Sequence, residues 1–178
     1  MSDAVLSDAV LSDAVLSEEE MQDWARSLGS RLRSGDVVLL GGSMGSGKTT
    51  LTRALAEGMG VARPERVCSP TYTVCMVHPG GQMGLGLVHI DLFRLGEQGE
   101  GPVATAAFES LGLEHDELPG PGRVMVVEWA ELWADPPLEH LWITVERSRA
   151  SEHTRHVQIS AQGPRWAAFE PGLPENNQ

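Results

Sequence analysis

The apolar positions of this chain change their period several times, and each change marks an element. Met21, Trp24, Ala25, Leu28 and Leu32 recur at the spacing that lines one face of a helix. Ser17 stands where an N-cap belongs, with Glu20 three residues on as its capping-box partner and Leu16 and Met21 able to form a hydrophobic staple. The helix is therefore predicted to begin there and to end near Ser34-Gly35. The uninterrupted run Val37-Val38-Leu39-Leu40 predicts a buried strand at about residues 36–41. A helical pattern resumes in Thr50-Leu51-Thr52-Arg53-Ala54-Leu55-Ala56 and is stopped at Gly58-Met59-Gly60.

Residues 73–78 and 85–90 read as two strands joined by the turn Pro79-Gly80-Gly81. Short helices are predicted over 103–111 and 114–118, and Pro119-Gly120-Pro121-Gly122 then breaks the chain. Val124-Met125-Val126-Val127 has the continuous apolar character of a central strand, and residues 141–145 and 156–160 predict a closing β-hairpin. Strands alternating with helices indicate an α/β fold.

The two ends behave differently. Residues 2–16 are a threefold repeat of Ser-Asp-Ala-Val-Leu. A period of five matches neither helix nor strand, so its leucines do not gather on one face, and disorder is expected for residues 1–16. Removing residues 2–15 is accordingly expected to leave folding and activity intact. Residues 170–178 contain two prolines and end in Asn-Asn-Gln, which predicts a flexible tail. One folded domain, residues 17–169, lies between them.

Lys48 is the only lysine in the 178 residues; the other twelve basic side chains are arginines. It sits in Gly42-Ser43-Met44-Gly45-Ser46-Gly47-Lys48-Thr49, a complete phosphate-binding loop between a predicted strand and a predicted helix. Glycines let successive N–H groups turn inward, and the following helix adds the positive end of its dipole. A compact ammonium reaches β- and γ-phosphates as a point charge, and the Thr49 hydroxyl can join a Mg²⁺ shell. Guanine is not the base expected here: the Asn-Lys-x-Asp element cannot form, because Asn occurs only at 176 and 177. Adenine nucleotide is the default.

Two carboxylates suit the same chemistry. Asp91 closes the apolar stretch Leu87-Val88-His89-Ile90, and Glu128 follows Val124-Met125-Val126-Val127; open α/β sheets bind ligands at such carboxyl ends. Each has a plainer reading, Asp91 as a turn or cap residue and Glu128 as a surface acid, while Trp129 also fits ordinary core packing. Ser69-Pro70-Thr71-Tyr72-Thr73 is either a turn or a segment that brings a threonine toward metal and γ-phosphate. Most of the six histidines read as surface or packing residues.

The net charge is −12, with Asp3, Asp8, Asp13, Glu18, Glu19 and Glu20 in the first twenty residues and no base among them. Such a chain lacks the cation array that grips a nucleic-acid backbone alone. Cys68 and Cys75 match no zinc spacing and are expected to be reduced thiols. No stretch approaches the ~20 apolar residues of a membrane span, and no basic, apolar leader opens the chain, so a cytoplasmic protein is expected.

In order, the phosphate loop running into Thr50, Ser69-Pro70-Thr71-Tyr72, His89-Ile90-Asp91-Leu92-Phe93-Arg94, Leu111-Gly112-Leu113 and Val127-Glu128-Trp129 resemble the TsaE family, small bacterial ATPases of tRNA threonylcarbamoyladenosine modification. The resemblance spans residues 17–166. It implies a single P-loop NTPase domain with a central, mostly parallel sheet flanked by helices. It further implies that Met44, Gly45, Ser46, Gly47, Lys48, Thr49 and Thr50 bind ATP phosphates and that Thr49 and Glu128 hold Mg²⁺, with Asp91 a second acid there. Thr71 would belong to a nucleotide-responsive segment, Trp129 would support the site, and Arg155 would lie near the nucleotide. Members are thought to bind the TsaD–TsaB transferase and reset it through ATP binding and hydrolysis, meeting tRNA only through that complex. Two positions depart from the pattern: Ser43 replaces a frequent acidic residue and Phe93 a frequent tyrosine. No arginine finger is evident, so weak activity in isolation is expected. A small-molecule kinase and a nucleotide-dependent binding module remain the alternatives, because the loop and its helix also resemble the opening of shikimate kinase.

Overall fold

A computed structural model describes residues 9–97, 102–104, 106–109, 118–149 and 151–174. It contains one seven-stranded sheet in the order β1-β7-β6-β2-β5-β4-β3. The strands are β1 (Ala9–Ser17), β2 (Val37–Gly41), β3 (Cys75–His78), β4 (Gly86–Asp91), β5 (Arg123–Glu128), β6 (His140–Arg147) and β7 (Thr154–Gln162). Helices are α1 (Glu18–Gly29), α2 (Lys48–Met59) and the short α3 (Phe93–Glu97) and α4 (Ala106–Glu109). The four central strands run parallel, whereas β3 against β4, β6 against β7 and β1 against β7 are antiparallel. The predicted hairpins at 73–90 and 141–160 are therefore present at the two sides of a parallel centre.

Strand alternation divides the apolar residues between two cores. Val38, Leu40, Leu87, Val124 and Val126 face α1 and α2 in one, and Val37, Leu39, Val88, Ile90, Met125 and Val127 face Leu92, Val103 and Trp133 in the other. Burial on both faces is why the central strands read as unbroken apolar runs. The capping box at Ser17 forms, with Glu20 N–H donating to Ser17 Oγ and Ser17 N–H to the Glu20 carboxylate. Helix α1 stops at Gly29, earlier than the periodicity through Leu32 predicts. Gly29 and Gly58 let α1 and α2 cross backbone to backbone, since a Cβ at Gly58 would lie 2.0 Å from the Arg26 carbonyl oxygen.

Both ends correct the sequence expectation. The repeat forms strand β1 from Ala9 onward, paired with β7, so disorder does not extend to residue 16. An odd period sends successive copies to opposite faces of a strand: Leu16 is 2% exposed, whereas Leu11 is 39% exposed. One buried pair, Ala14 and Leu16, together with backbone pairing at the sheet edge, needs no continuous apolar stripe. The start of the tail is also held, because Trp24 Nε1 and Arg31 donate to the Pro171 carbonyl and Arg31 to that of Glu170. Of the helix predicted at 103–111, the described residues show α4 with Val103 and Ala104 outside it, and residues 105, 110 and 111, like nearly all of the helix predicted at 114–118, lie outside the described residues. Among the described residues no helix is long and apolar enough to cross a membrane.

Deletion of residues 2–15 removes six positions paired with β7, including buried Ala14. A loss of about 2 kcal/mol is expected, lowering the melting temperature by about 4–8 °C in a domain of this size. An unchanged thermal melt would show that β1 contributes nothing to the fold.

Candidate active site

The site is assembled where β2, β4 and β5 end. After Gly41 the chain turns through Gly42 at φ 127°, then Gly45 at 71° and Gly47 at 115°, into the first turn of α2. A Cβ at Gly42 would lie 2.0 Å from the Val145 carbonyl oxygen, so both backbone angle and space demand glycine there. Outside the loop, Glu146 accepts from Ser43 N–H at 3.0 Å and Ser43 Oγ at 2.6 Å. Arg147 donates to the Gly45 carbonyl at 3.3 Å and Arg155 to that of Ser46 at 2.8 Å.

Lys48 is buried, and its Nζ donates to the carbonyls of Gly42 at 2.6 Å and Ser43 at 2.9 Å. The same ammonium stands 3.9 Å from the centre of the Trp129 ring. Burial pulls its pKa below the usual lysine value, against the opposing pull of Glu128, Glu131, Asp91 and Glu146. An anionic group beside Lys48 would favour its charged form. Trp129 takes up φ 59°, a conformation uncommon for a bulky side chain, directly after Glu128 at the end of β5. Its ring also lies against Phe93, with centroids 4.8 Å apart.

The two carboxylates are register partners on adjacent parallel strands. Glu128 is 2% exposed; its Oε2 accepts from Thr49 Oγ1 at 3.0 Å, and its Oε1 lies 2.8 Å from His89 Nε2. Asp91 is 1% exposed; its Oδ2 accepts from Ser69 Oγ at 2.6 Å and Thr71 Oγ1 at 2.7 Å, and its Oδ1 from Phe93 N–H at 2.9 Å. Asp91 thus ties the Ser69–Thr71 segment to the end of β4. Phe93 makes this backbone bond whichever aromatic residue occupies the position.

These groups border a cleft of about 430 Å³. Met44, Gly45, Ser46, Gly47, Lys48, Thr49, Thr50, Thr71, Asp91, Glu128 and Trp129 all line it, joined by Ser69 and Phe93. Arg155 does not; it lies behind the loop, bonded to the Ser46 carbonyl and to those of Glu152 and Thr154. Sequence reasoning missed five contributors, one of them Phe93, noted only as a departure from the family pattern. Ser69 lay within the hydroxyl-rich segment already singled out, and His89 shares strand parity with Asp91. Glu146 and Arg147 had no local signal, since only the parallel pairing of β6 with β2, Gly41 opposite Thr144, carries them to the loop.

The residues present suit a nucleotide with Mg²⁺. Ser46 Oγ is buried in the loop with no hydrogen-bond partner among the described residues. The candidate metal donors, Thr49 Oγ1 and the Glu128 and Asp91 carboxylates, are all hard oxygens. Among the described residues no three His, Cys, Asp or Glu side chains gather into a metal cluster. Few protein ligands are what Mg²⁺ needs when phosphate and water fill its remaining positions.

Comparison with known proteins converges on one family. The family model described as threonylcarbamoyl adenosine biosynthesis protein TsaE matches residues 15–157. The tRNA threonylcarbamoyladenosine biosynthesis protein TsaE of Streptomyces coelicolor is 37% identical over 153 residues, covering 84% of this chain and 96% of that protein. The protein of the same name from Bacillus subtilis is 35% identical over 149 residues, covering 83% and 84%. That of Aquifex aeolicus is 30% identical over 142 residues, covering 80% and 90%. The crystal structure of Bacillus subtilis YdiB superposes with a TM-score of 0.64 at 28% identity, covering 90% of this chain and 92% of that one.

Proposed function

We propose that this chain, which belongs to the TsaE family as the match over residues 15–157 shows, is a cytoplasmic Mg²⁺-dependent ATPase of tRNA threonylcarbamoyladenosine biosynthesis. It binds the TsaD–TsaB transferase and resets it through ATP binding and hydrolysis. The observation that carries the reading is the convergence of Lys48, Thr49 and Glu128 on one cleft at the phosphate loop.

Each residue has a part. The loop from Met44 to Thr49 and the start of α2 receive the phosphates, with Lys48 neutralising charge at the β- and γ-positions. Thr49 and Glu128 would hold Mg²⁺, with Asp91 beside them. When bound, such an ion would supply electrostatic stabilisation of the charge that develops on the phosphate oxygens. Glu128 also orients the attacking water, and His89 and Thr49 fix its two oxygens for that task. Thr71, bonded to Asp91, is the group whose position reports the state of the γ-phosphate to a partner. Trp129 holds the Lys48 ammonium in place, and Arg155 braces the loop from behind. The acidic chain meets tRNA through its partners rather than directly.

The reading is tested by following threonylcarbamoyl transfer to tRNA by purified TsaD–TsaB. Repeated turnover is expected only when this chain and hydrolysable ATP are both present, and a non-hydrolysable ATP analogue should restrict the complex to a single round. Repeated turnover with the analogue, or without this chain, would contradict a resetting role.

A further inference from the structure

We infer that Glu146 is a positioning residue for the nucleotide: its carboxylate sets the phosphate loop, and through Ser43 the Lys48 ammonium. The inference rests on the ATP-binding reading above. Ser43 is the first residue after the Gly42 turn, and both of its donors, N–H and Oγ, end on the two oxygens of Glu146. The carbonyl of the same residue accepts from Lys48 Nζ at 2.9 Å and from Ser46 N–H at 3.2 Å. One side chain on β6 thus fixes the peptide that holds the lysine. The contact is built into the fold, because β6 pairs with β2 beside the loop and the Val145 carbonyl touches Gly42.

The charge of Glu146 argues for the same role. A carboxylate next to a phosphate site repels the ligand and is one of four acids around Lys48. If Glu146 acted on the nucleotide only through space, it would weaken binding. Its value is mechanical: a glycine-rich loop loses much conformational freedom on closing round a ligand, and prior ordering reduces that cost. Arg147 and Arg155, cross-strand neighbours on β6 and β7, restrain the Gly45 and Ser46 carbonyls in the same way.

The two accounts predict opposite signs. ATP binding with Mg²⁺ is measured by calorimetry for the wild type, Glu146→Ala, Glu146→Gln and Ser43→Ala, with a thermal melt of each. Glu146→Ala should weaken ATP by about tenfold, since it removes two charge-assisted bonds that order the loop. Glu146→Gln keeps an acceptor for the Ser43 N–H and loses the charge, so it should bind at least as tightly as wild type. Ser43→Ala, which removes one bond, should weaken ATP by about threefold. Wild-type or tighter binding by folded Glu146→Ala would overturn the inference, as would unchanged affinity in Ser43→Ala should the first variant fail to fold. Failure of the wild type itself to bind ATP would overturn the ATP reading, and the inference with it.

Discussion

Lys48→Ala is expected to abolish ATP turnover and to weaken nucleotide binding by about a hundredfold, as loss of a charge-assisted contact to phosphate implies. No other side chain can take its place, since the chain has no second lysine. Lys48→Arg should fail almost as fully. The ammonium occupies a narrow position between two loop carbonyls and the Trp129 ring 3.9 Å away, which a planar guanidinium on a longer stem does not fit. The substitution should leave the fold intact, because the apolar cores lie in the sheet below the loop. Binding isotherms and steady-state hydrolysis check it; wild-type affinity in Lys48→Ala would place the phosphates elsewhere.

Glu128→Gln and Glu128→Ala should separate binding from chemistry. Loss of the carboxylate proposed to orient water and to hold the metal is expected to cut turnover by about 10²–10³, with nucleotide affinity within a few-fold of wild type. The Gln variant is the cleaner of the two, because it can still meet Thr49 and His89 and so strands no buried donor. Both variants should need more Mg²⁺ for half-maximal rate. Unchanged turnover would remove Glu128 from the mechanism.

Local sequence carried the site's core because its chemistry is local. A phosphate loop must be contiguous, since adjacent peptide groups form the cradle, and Asp91 and Glu128 betrayed themselves by ending apolar runs. The capping box at Ser17 was equally legible. What stayed hidden depends on the sheet. Nothing near Glu146 or Arg147 announces a loop a hundred residues earlier; β6 lies beside β2, and only the topology says so. Strand β1 was missed for a different reason: edge pairing is made by backbone groups, and among the described side chains of the repeat only Ala14 and Leu16 are buried. The start of the tail was misread because its anchors are carbonyls, which every residue possesses, while the selective partners, Trp24 and Arg31, lie on the first helix and just beyond its end.

The resemblance sets Arg155 near the nucleotide, and the structure puts it against the backbone of the phosphate loop. It bonds to the Ser46 carbonyl from outside the cleft, so it acts on the loop rather than as a group lining the cavity. The serine at position 43 is similarly accounted for. Its short hydroxyl fits against Glu146, where an acidic side chain would set two negative charges together.

The measurement that tests the central claim most directly is Mg²⁺-dependent ATP hydrolysis by the purified chain, alone and with TsaD–TsaB, using Lys48→Ala as the blank. Slow hydrolysis that the partner complex accelerates and Lys48→Ala abolishes is the predicted result. Hydrolysis equally fast without partners, or none under either condition, would contradict it.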